Sequence, residues 1–373
     1  MIKDNLFKLK QLPKRLYRNS IWKGMSKAIA SEEDEYAVCH KAPNLTPAER
    51  AEIRTVWQGV CPNLDVGVSG FKDFKLLYGF SAEYVPFGYF FPWMVRVLNP
   101  IDSARVFANK GLTYTIFADI PQPKLVARKI NGCLFNDAGD QVEEMDVVQM
   151  IQNMHSDVIV KQSLGSCCGH GVTNISASES SEIILKTLQN FQSDYVIQHR
   201  LIQSEVTDRF NKSSLNTFRI STLLLNGRFS MCTAMLRFGV PGNIVDNVGA
   251  GGGCVGINDD GSLMPFGFAK SGEKIYEWNG IRFAGLSIPN FENVIKTALK
   301  AHTHIPLCAF VGWDLALDAN GEVNLIEANL EWPGLFFEQL ANGRPAFRDR
   351  FVEVLDFVCT HPLPLLPMYF ATN

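Results

Sequence analysis

The stretch that most constrains the fold is residues 310–329, where two apolar runs flank a short polar turn. Its sequence, FVGWDLALDANGEVNLIEAN, is typical of a strand, a tight turn and a second strand. If Asn320 and Gly321 form a two-residue hairpin loop, the antiparallel register places Asp314 opposite Glu327. The sequence therefore predicts a hairpin with two carboxylates standing opposite each other on one face.

Strand alternation puts a third oxygen-bearing side chain, Asn329, on the face of Asp314 and Glu327. Two carboxylates among apolar neighbours repel each other, and a divalent cation removes that cost. Hard ions such as Mg²⁺ prefer carboxylate and amide oxygens and leave positions for phosphates. The alternative is a solvated hairpin edge whose acids face water, but the leucine, isoleucine and valine residues of the hairpin favour a buried face and hence a metal site.

A second informative stretch is an apolar run that ends in Lys161 and leads into a glycine-rich loop. Glycines let backbone amides approach phosphate oxygens, and a lysine at a strand end adds a point charge. Gly165, Ser166 and Gly169 are the loop's candidates for phosphate contact. The loop is not a Walker motif, because no Gly-Lys-Ser/Thr sequence ends it. The pattern is weak alone, but together with the acidic hairpin it indicates a nucleotide site.

The composition is that of an ordinary globular protein, with 373 residues, of which 46% are hydrophobic and 20% charged. The formal net charge of −3 creates no basic field, so nucleic acid is not an expected partner. The basic N-terminus lacks the apolar run of a signal peptide, which predicts a cytoplasmic protein. Weak contact of this N-terminus with a membrane surface is a second, less favoured expectation. The sequence leaves the oligomeric state open.

Local patterns predict alternating helices and strands. Thr46 followed by Pro47 predicts a helix start, and Asn226-Gly227 predicts a hairpin turn. The aromatic residues of segment 87–93 predict a packed cluster. Nine cysteines without a zinc-type C-x-x-C spacing predict reduced thiols. The other predicted elements are helices over 141–155 and 178–191 and strands over 157–161, 195–198, 217–225 and 231–238.

These motifs resemble the ATP-grasp superfamily, and most closely its sugar-transfer-associated group, over roughly residues 100 to 355. The resemblance implies an α+β fold in which two α+β lobes clasp ATP, and the pattern of residues 1–60 predicts a helical N-terminal extension before them. The chain is thus expected to comprise a helical extension (1–60), a pre-ATP-grasp segment (61–108), a nucleotide-binding lobe (109–203) and a C-terminal lobe with the metal and substrate site (204–373).

The resemblance also implies roles for individual residues. In the superfamily, one lysine at a helix start and one at a strand end contact the ATP phosphates, and the end of the next strand forms the adenine hinge. The matching positions are Lys110 and Lys161 for the phosphates, Gln198 and Leu201 for the base, Glu205 for the ribose, and Asp314, Glu327 and Asn329 for the metal.

Two stretches, NTFR at 216–219 and the glycine-rich run that ends at residue 253, resemble the sugar-transfer-associated group in particular. Within the second stretch, Asp246 and Asn247 are candidates for substrate contact, although the same pair is an ordinary turn signature. Trp332, which follows the metal-binding strand, is a third substrate candidate with simple packing as its alternative.

One departure from the superfamily concerns an arginine. Gly312 stands where amino-acid ligases such as D-alanine ligase carry an arginine. The arginine that stabilises the transition state must then come from elsewhere, and Arg219 and Arg237 are the catalytic candidates. A satisfied surface arginine is the alternative for each of them.

The activity implied by the resemblance is that of a carboxylate–amine ligase. The substrate carboxylate attacks the terminal phosphate of ATP, and an amine captures the resulting acyl-phosphate, in a setting such as polysaccharide or specialised-metabolite modification. The implied cofactors are ATP and two Mg²⁺ ions, with Mn²⁺ as a substitute, and the partners are a small-molecule carboxylate and an amine. A kinase acting on a sugar or other small molecule and a nucleotide-binding module without turnover stay open as alternatives.

Overall fold

The computed structural model describes residues 42–361 except 63, 65, 155, 166–170, 243–247, 249 and 250. The chain divides into two compact units, of which the first comprises residues up to 101, residues 271–273 and residues from 334 onward. The second unit comprises residues 102–270 and 274–333. Most of the predicted helical extension and the basic N-terminus lie outside the described residues.

The secondary structure mixes helices and strands. Within the described residues the α-helices are α1 Pro47–Val60, α2 Lys75–Tyr78, α3 Phe87–Tyr89, α4 Val95–Leu98, α5 Ile101–Phe107, α6 Lys110–Ile116, α7 Glu144–Gln152, α8 Ser181–Gln189, α9 Glu205–Asp208, α10 Phe291–Thr303, α11 Phe336–Asn342 and α12 Phe351–Thr360. Two 3-10 turns span Ser69–Lys72 and Arg348–Arg350, and a π turn spans Phe90–Met94. None of the helices in this part of the chain has both the length and the hydropathy needed to cross a bilayer.

Fifteen strands are present in the same described residues. They are β1 Leu125–Ile130, β2 Cys133–Asn136, β3 Gln141–Val142, β4 Val158–Gln162, β5 Val172–Ile175, β6 Tyr195–His199, β7 Thr217–Leu225, β8 Arg228–Phe238, β9 Gly253–Ile257, β10 Leu263–Ala269, β11 Lys274–Ile275, β12 Glu277–Trp278, β13 Ile281–Arg282, β14 Phe310–Leu317 and β15 Val323–Asn329. Strands β12 and β13 form a separate two-stranded ribbon.

The first unit contains the predicted capped helix. Thr46 Oγ1 accepts a hydrogen bond from Glu49 N at 3.2 Å, and the Glu49 carboxylate accepts one from Thr46 N at 2.7 Å, which forms a capping box before Pro47. Trp57 on the buried face of α1 packs edge-on against Phe71 at 5.4 Å between ring centroids. The capping signal in the sequence therefore predicts the start of this helix correctly.

The predicted aromatic cluster is also confirmed. Phe90 and Phe91 are buried, and the rings of Phe87 and Phe91 lie 4.4 Å apart between centroids. The aromatic rings of this segment therefore pack against one another.

The prediction of reduced thiols is wrong for one pair of cysteines. A disulfide joins Cys61, directly after α1, to Cys359 in α12, and their Cα atoms are 5.9 Å apart. Because 298 residues separate the two cysteines, no local spacing in the sequence indicates the bond. Cys133 and Cys308 are present as thiols.

A six-stranded antiparallel sheet lies in the second unit, with its strands in the order β3-β2-β1-β6-β4-β5. Helices α7 and α8 bury Val147, Ile151, Ile184 and Leu188 against the apolar side chains of these strands. The predicted helices 141–155 and 178–191 are thus confirmed with shorter bounds. The first two residues of the former belong to β3 instead.

A seven-stranded antiparallel sheet follows, in the order β11-β10-β9-β8-β7-β14-β15. The predicted β7–β8 hairpin is confirmed, since Asn226 and Gly227 have the positive φ angles, 49° and 73°, of a type I′ turn. Helix α10 packs on one face of the sheet, where Trp313 and Leu315 contribute to an apolar core. The opposite face carries the predicted metal-binding residues.

The β14–β15 hairpin has the predicted register at the acids but a different loop. Asp318 N donates to Glu322 O at 3.0 Å, which leaves residues 319–321 as a three-residue loop in place of the predicted two. Nearer the acids, a bulge adds one residue to β15. The two one-residue deviations cancel, and Asp314 pairs with Glu327 as predicted.

Candidate active site

The bulge in β15 determines which side chains face the candidate site. Before the bulge, Val323 and Leu325 belong to the apolar core, and after it Ala328 and Leu330 do. The core-facing positions change from odd to even because one extra residue reverses the alternation of a strand. Glu327, two residues after Leu325, therefore faces the opposite side of the sheet.

Asp314 is the centre of the cluster on this side. It is 4% exposed, and it pairs in register with Arg219 of β7 and Glu327 of β15. Its Oδ1 accepts from Arg219 Nε at 2.6 Å, and its Oδ2 accepts from Arg219 Nη2 at 3.3 Å and from Asn329 Nδ2 at 3.2 Å. Arg237 Nη2 lies 2.9 Å from the same Oδ2. Two guanidinium groups and one amide thus share a single buried carboxylate.

The charge state of Asp314 follows from these contacts. Burial raises the pKa of this carboxyl, but the charges of Arg219 and Arg237 and the hydrogen bonds to it have a larger, opposite effect. The resulting pKa is about 2. Asp314 is therefore ionised at neutral pH. Its contacts with the guanidinium groups are charge-assisted, and their strength depends on exclusion of water from the cluster.

Both arginines also donate hydrogen bonds to groups other than Asp314. Arg219 Nη1 donates to Pro333 O at 3.0 Å, and Arg237 Nε and Nη2 donate to Thr217 Oγ1 at 3.2 and 2.7 Å. A Cβ on Gly312 would overlap with the same Pro333 carbonyl oxygen, so no side chain fits there. The glycine at 312 makes room for the carbonyl that fixes Arg219.

Lys110 reaches the cluster from α6. Asn109 caps this helix by accepting from Gly111 N at 2.9 Å, and Lys110 N donates to Ser163 O at 3.0 Å. The Lys110 side chain is almost fully buried, and its Nζ lies 2.8 Å from Glu327 Oε1. A predicted phosphate-binding lysine and a predicted metal ligand are thus direct neighbours.

Other predicted nucleotide contacts lie around the six-stranded sheet. Lys161 is in β4, next to β6, which carries the buried Gln198 near its end. Gln198 Oε1 accepts from Tyr114 Oη at 3.3 Å. Gly165 has a φ of 72°, a left-handed conformation that favours glycine.

The remaining predicted site residues are less enclosed or not described. Leu201 is partly buried, and Glu205 is exposed at the first position of α9. Trp332 is 55% exposed and follows Glu331, whose Oε1 is 3.2 Å from Arg105 Nε. The predictions outside the described residues are Ser166, Gly169, Asp246 and Asn247.

Sequence reasoning missed Tyr114, Thr217 and Pro333. Tyr114 lies in α6, and burial raises the pKa of its hydroxyl. Thr217 is opposite Arg237 because a register shift within the β7–β8 hairpin moves the pairing by one residue. An uninterrupted hairpin would place Leu236 there, so the turn signal alone could not identify Thr217 as the partner of Arg237.

The family model for sugar-transfer associated ATP-grasp proteins matches residues 94–353. The chain belongs to the sugar-transfer associated ATP-grasp family. The match spans the whole cluster around Asp314 and both sheets of the second unit. The α+β ATP-grasp fold predicted from the sequence is confirmed for this ATP-grasp protein, and within the predicted helical extension the described residues contain α1.

Several solved structures are similar to this ATP-grasp protein at low identity. D-alanyl-alanine synthetase A from Vibrio cholerae O1 biovar eltor has a TM-score of 0.42 and 12% identity, covering 69% of this chain and 66% of that one. The D-alanine-D-alanine ligase from Coxiella burnetii has a TM-score of 0.41 and 13% identity, and the match covers 70% of this chain and 60% of that one. VanG D-Ala:D-Ser ligase from Enterococcus faecalis has a TM-score of 0.43 and 12% identity, and the match covers 69% of this chain and 62% of that one.

The aligned part of the ATP-grasp chain thus spans about two thirds or less of the length of these three solved proteins. No curated protein matches the chain in sequence.

Proposed function

We propose that the protein is an ATP-dependent carboxylate–amine ligase that acts through an acyl-phosphate on small-molecule substrates. The observation that carries this proposal is the gathering of Asp314, Glu327 and Asn329 with basic side chains on one sheet face, in a chain of the ATP-grasp family. Such a face supplies oxygen ligands for a cation and positive charge for phosphate and carboxylate groups. Polysaccharide or specialised-metabolite modification is the setting that we propose.

The nucleotide would bind between the glycine-rich loop and the end of β6. Lys110 and Lys161 would neutralise its phosphates, and backbone amides near Gly165 would donate to them, with Ser166 and Gly169 in the same loop. Gln198, Leu201 and Glu205 would hold the base and ribose. The burial of Gln198 supports this placement, because a buried amide contributes strongly to selecting its ligand.

The donor set fits magnesium. Asp314 and Glu327 face each other in register, and Asn329 adds an amide oxygen on the same side. No group of three His, Cys, Asp or Glu side chains suited to a metal is found among the described residues, so an amide oxygen is needed to complete a three-residue set. Bound Mg²⁺, for which two ions are proposed and Mn²⁺ could substitute, would neutralise charge on the transferring phosphate.

The chain's own residues would then orient the reactants. One carboxylate oxygen of the substrate attacks the terminal phosphorus of ATP, and ADP leaves. The amine next attacks the acyl carbon, and phosphate leaves with that oxygen while the amine loses a proton. Arg219 and Arg237 would stabilise the negative charge that develops on the acyl oxygen. Asp246, Asn247 and Trp332 would contact the substrates.

An isotope experiment tests the proposal. ADP release is first screened against pooled amino acids, uronic acids and aminosugars, and the active carboxylate is then labelled with heavy oxygen. A ligase transfers one labelled oxygen to inorganic phosphate, formed in step with ADP and dependent on the amine. A stable phosphorylated product without free phosphate would establish a kinase, and an absence of ATP binding by calorimetry would contradict the nucleotide site itself.

A further inference from the structure

Both oxygens of the Asp314 carboxylate are engaged by the protein. They contact four nitrogen donors: Arg219 Nε at 2.6 Å, Arg219 Nη2 at 3.3 Å, Arg237 Nη2 at 2.9 Å and Asn329 Nδ2 at 3.2 Å. Three of these donors, one each from Arg219, Arg237 and Asn329, share Oδ2, which offers about two lone-pair positions. A cation that coordinates Oδ2 must therefore displace at least one donor.

The two arginines differ in how they are attached. Arg219 contacts both carboxylate oxygens through two nitrogens and donates a third to the Pro333 carbonyl. Arg237 contacts Asp314 Oδ2 through Nη2, while its Nε and Nη2 both donate to Thr217 Oγ1. Arg219 is thus bound to both oxygens, whereas Thr217 holds the Arg237 side chain in the site when its Asp314 contact is broken.

We propose that Asp314 is an exchange point at which a divalent cation replaces Arg237, so that metal binding releases this guanidinium toward the substrate. The idea rests on the proposed ligase function for the use of the released arginine, but the exchange itself needs neither nucleotide nor substrate. Arg219 stays bound to Asp314 during the exchange. The reaction then gains an order, because Arg237 becomes available only after the cation is in place.

Electrostatics supplies the driving force for competition. A guanidinium 2.9 Å from Asp314 Oδ2 repels a divalent cation that approaches the same oxygen, and low exposure of the carboxylate weakens screening by water. Removing the charge of Arg237 should therefore strengthen cation binding, although Arg237 is itself part of the candidate site. An arginine that merely maintained the structure of the metal site would have the opposite effect when removed.

The test measures Mn²⁺ binding by the electron paramagnetic resonance signal of the free ion, without nucleotide. Arg237→Gln keeps an amide to bond Thr217, and it should tighten Mn²⁺ binding by about tenfold or more relative to wild type. Arg105→Gln, which removes a charge from the exposed pair with Glu331, is the matched control and should change the affinity less than about threefold. Arg237→Lys, which keeps the charge, should stay near wild type.

The same substitution in the Asp314→Asn variant tests whether the change in Mn²⁺ affinity acts through Asp314. In Asp314→Asn, adding Arg237→Gln should change Mn²⁺ affinity by less than about threefold, because the shared oxygen charge is gone. Unchanged or weaker Mn²⁺ binding in Arg237→Gln, equal tightening in the Asp314→Asn background, or no Mn²⁺ binding by wild type and variants would each overturn the exchange. None of these outcomes depends on turnover, so a failure of the ligase proposal is recognised separately by the isotope experiment.

Discussion

The seven-stranded sheet carries a buried polar network on each face, and the two networks differ in charge. On the core face, Trp313 Nε1 donates to Thr222 Oγ1 at 2.8 Å, Thr222 Oγ1 is 2.8 Å from His302 Nδ1, and His302 Nε2 is 2.9 Å from Cys308 O. On the other face, ionised Asp314 contacts two arginines. Trp313 and Asp314 are adjacent in sequence, so strand alternation alone separates the networks.

The core-face network is neutral, and each group in it has a partner. The Cys308 carbonyl can only accept, so His302 Nε2 carries the proton and Nδ1 accepts from the Thr222 hydroxyl. Burial lowers the pKa of His302 to about 4, which keeps the ring uncharged at neutral pH. A network closed in this way stabilises the fold. The Asp314 network, by contrast, holds charges whose partners can be exchanged for ligands, and this difference separates a structural element from a candidate active site.

The largest expected effect is that of Asp314→Asn. The substitution should lower ADP formation by about 10³-fold or more, because cation binding and arginine placement both depend on this carboxylate. It should also lower the free energy of unfolding by about 3 kcal/mol, since two buried guanidinium groups lose their counter-charge. Activity assays and denaturant unfolding measure the two effects.

Glu327→Gln is the matched variant for this prediction. The Glu327 side chain is 30% exposed and contacts Lys110, so its loss should reduce ADP formation with little change in stability. Wild-type turnover of either variant at limiting magnesium would remove that residue from the site.

A smaller effect is expected from Thr222→Val, which opens the neutral network without changing side-chain volume. The free energy of unfolding should fall by about 2 kcal/mol, because Trp313 Nε1 and His302 Nδ1 lose their partner. ATP binding should not change. Thr233→Val is the control: the buried Thr233 hydroxyl has no hydrogen-bond partner among the described residues, so its removal should be neutral or stabilising. Equal losses in both variants would show that the Thr222 network adds no stability.

The core-face network should make the free energy of unfolding depend on pH through His302. The pKa of His302 is about 4 in the folded protein and near 6.5 in the unfolded chain, so its stabilising contribution is complete above pH 6.5 and is lost as pH falls toward 4. Between pH 7.5 and pH 5 the free energy of unfolding should fall by about 2 kcal/mol through this group. Urea titrations of wild type and His302→Gln measure the difference, and a variant with the same pH slope as wild type would contradict the assignment.

The smallest expected effect belongs to Lys161→Ala. Calorimetry should find ATP binding weakened by about tenfold through loss of one charge-assisted contact. The melting temperature without nucleotide should change little, and ATP should raise that of the wild type more than that of the variant. A variant with unchanged ATP affinity would place Lys161 outside the nucleotide site.

The turn and capping signals show how far local sequence patterns reach. Asn226-Gly227 predicts its hairpin and Thr46 predicts its helix start because both depend only on near neighbours. The β14–β15 register was predicted correctly at Asp314 for a partly fortuitous reason, since a longer loop and a bulge cancel. Bulges depend on packing against other strands, and turn residues alone do not encode them.

Local sequence patterns were enough to indicate which chemical groups this protein can present. Period-two alternation in β14 separates Trp313 from Asp314, and the acids, amide and lysines at their spacings indicate nucleotide and metal chemistry. Which charges come into contact depended on long-range folding. Arg219 lies 95 residues before Asp314, and the disulfide joins cysteines 298 residues apart. Strand order, bulges and helix placement set such contacts, because they arise from the packing of distant segments and not from the preferences of any one segment.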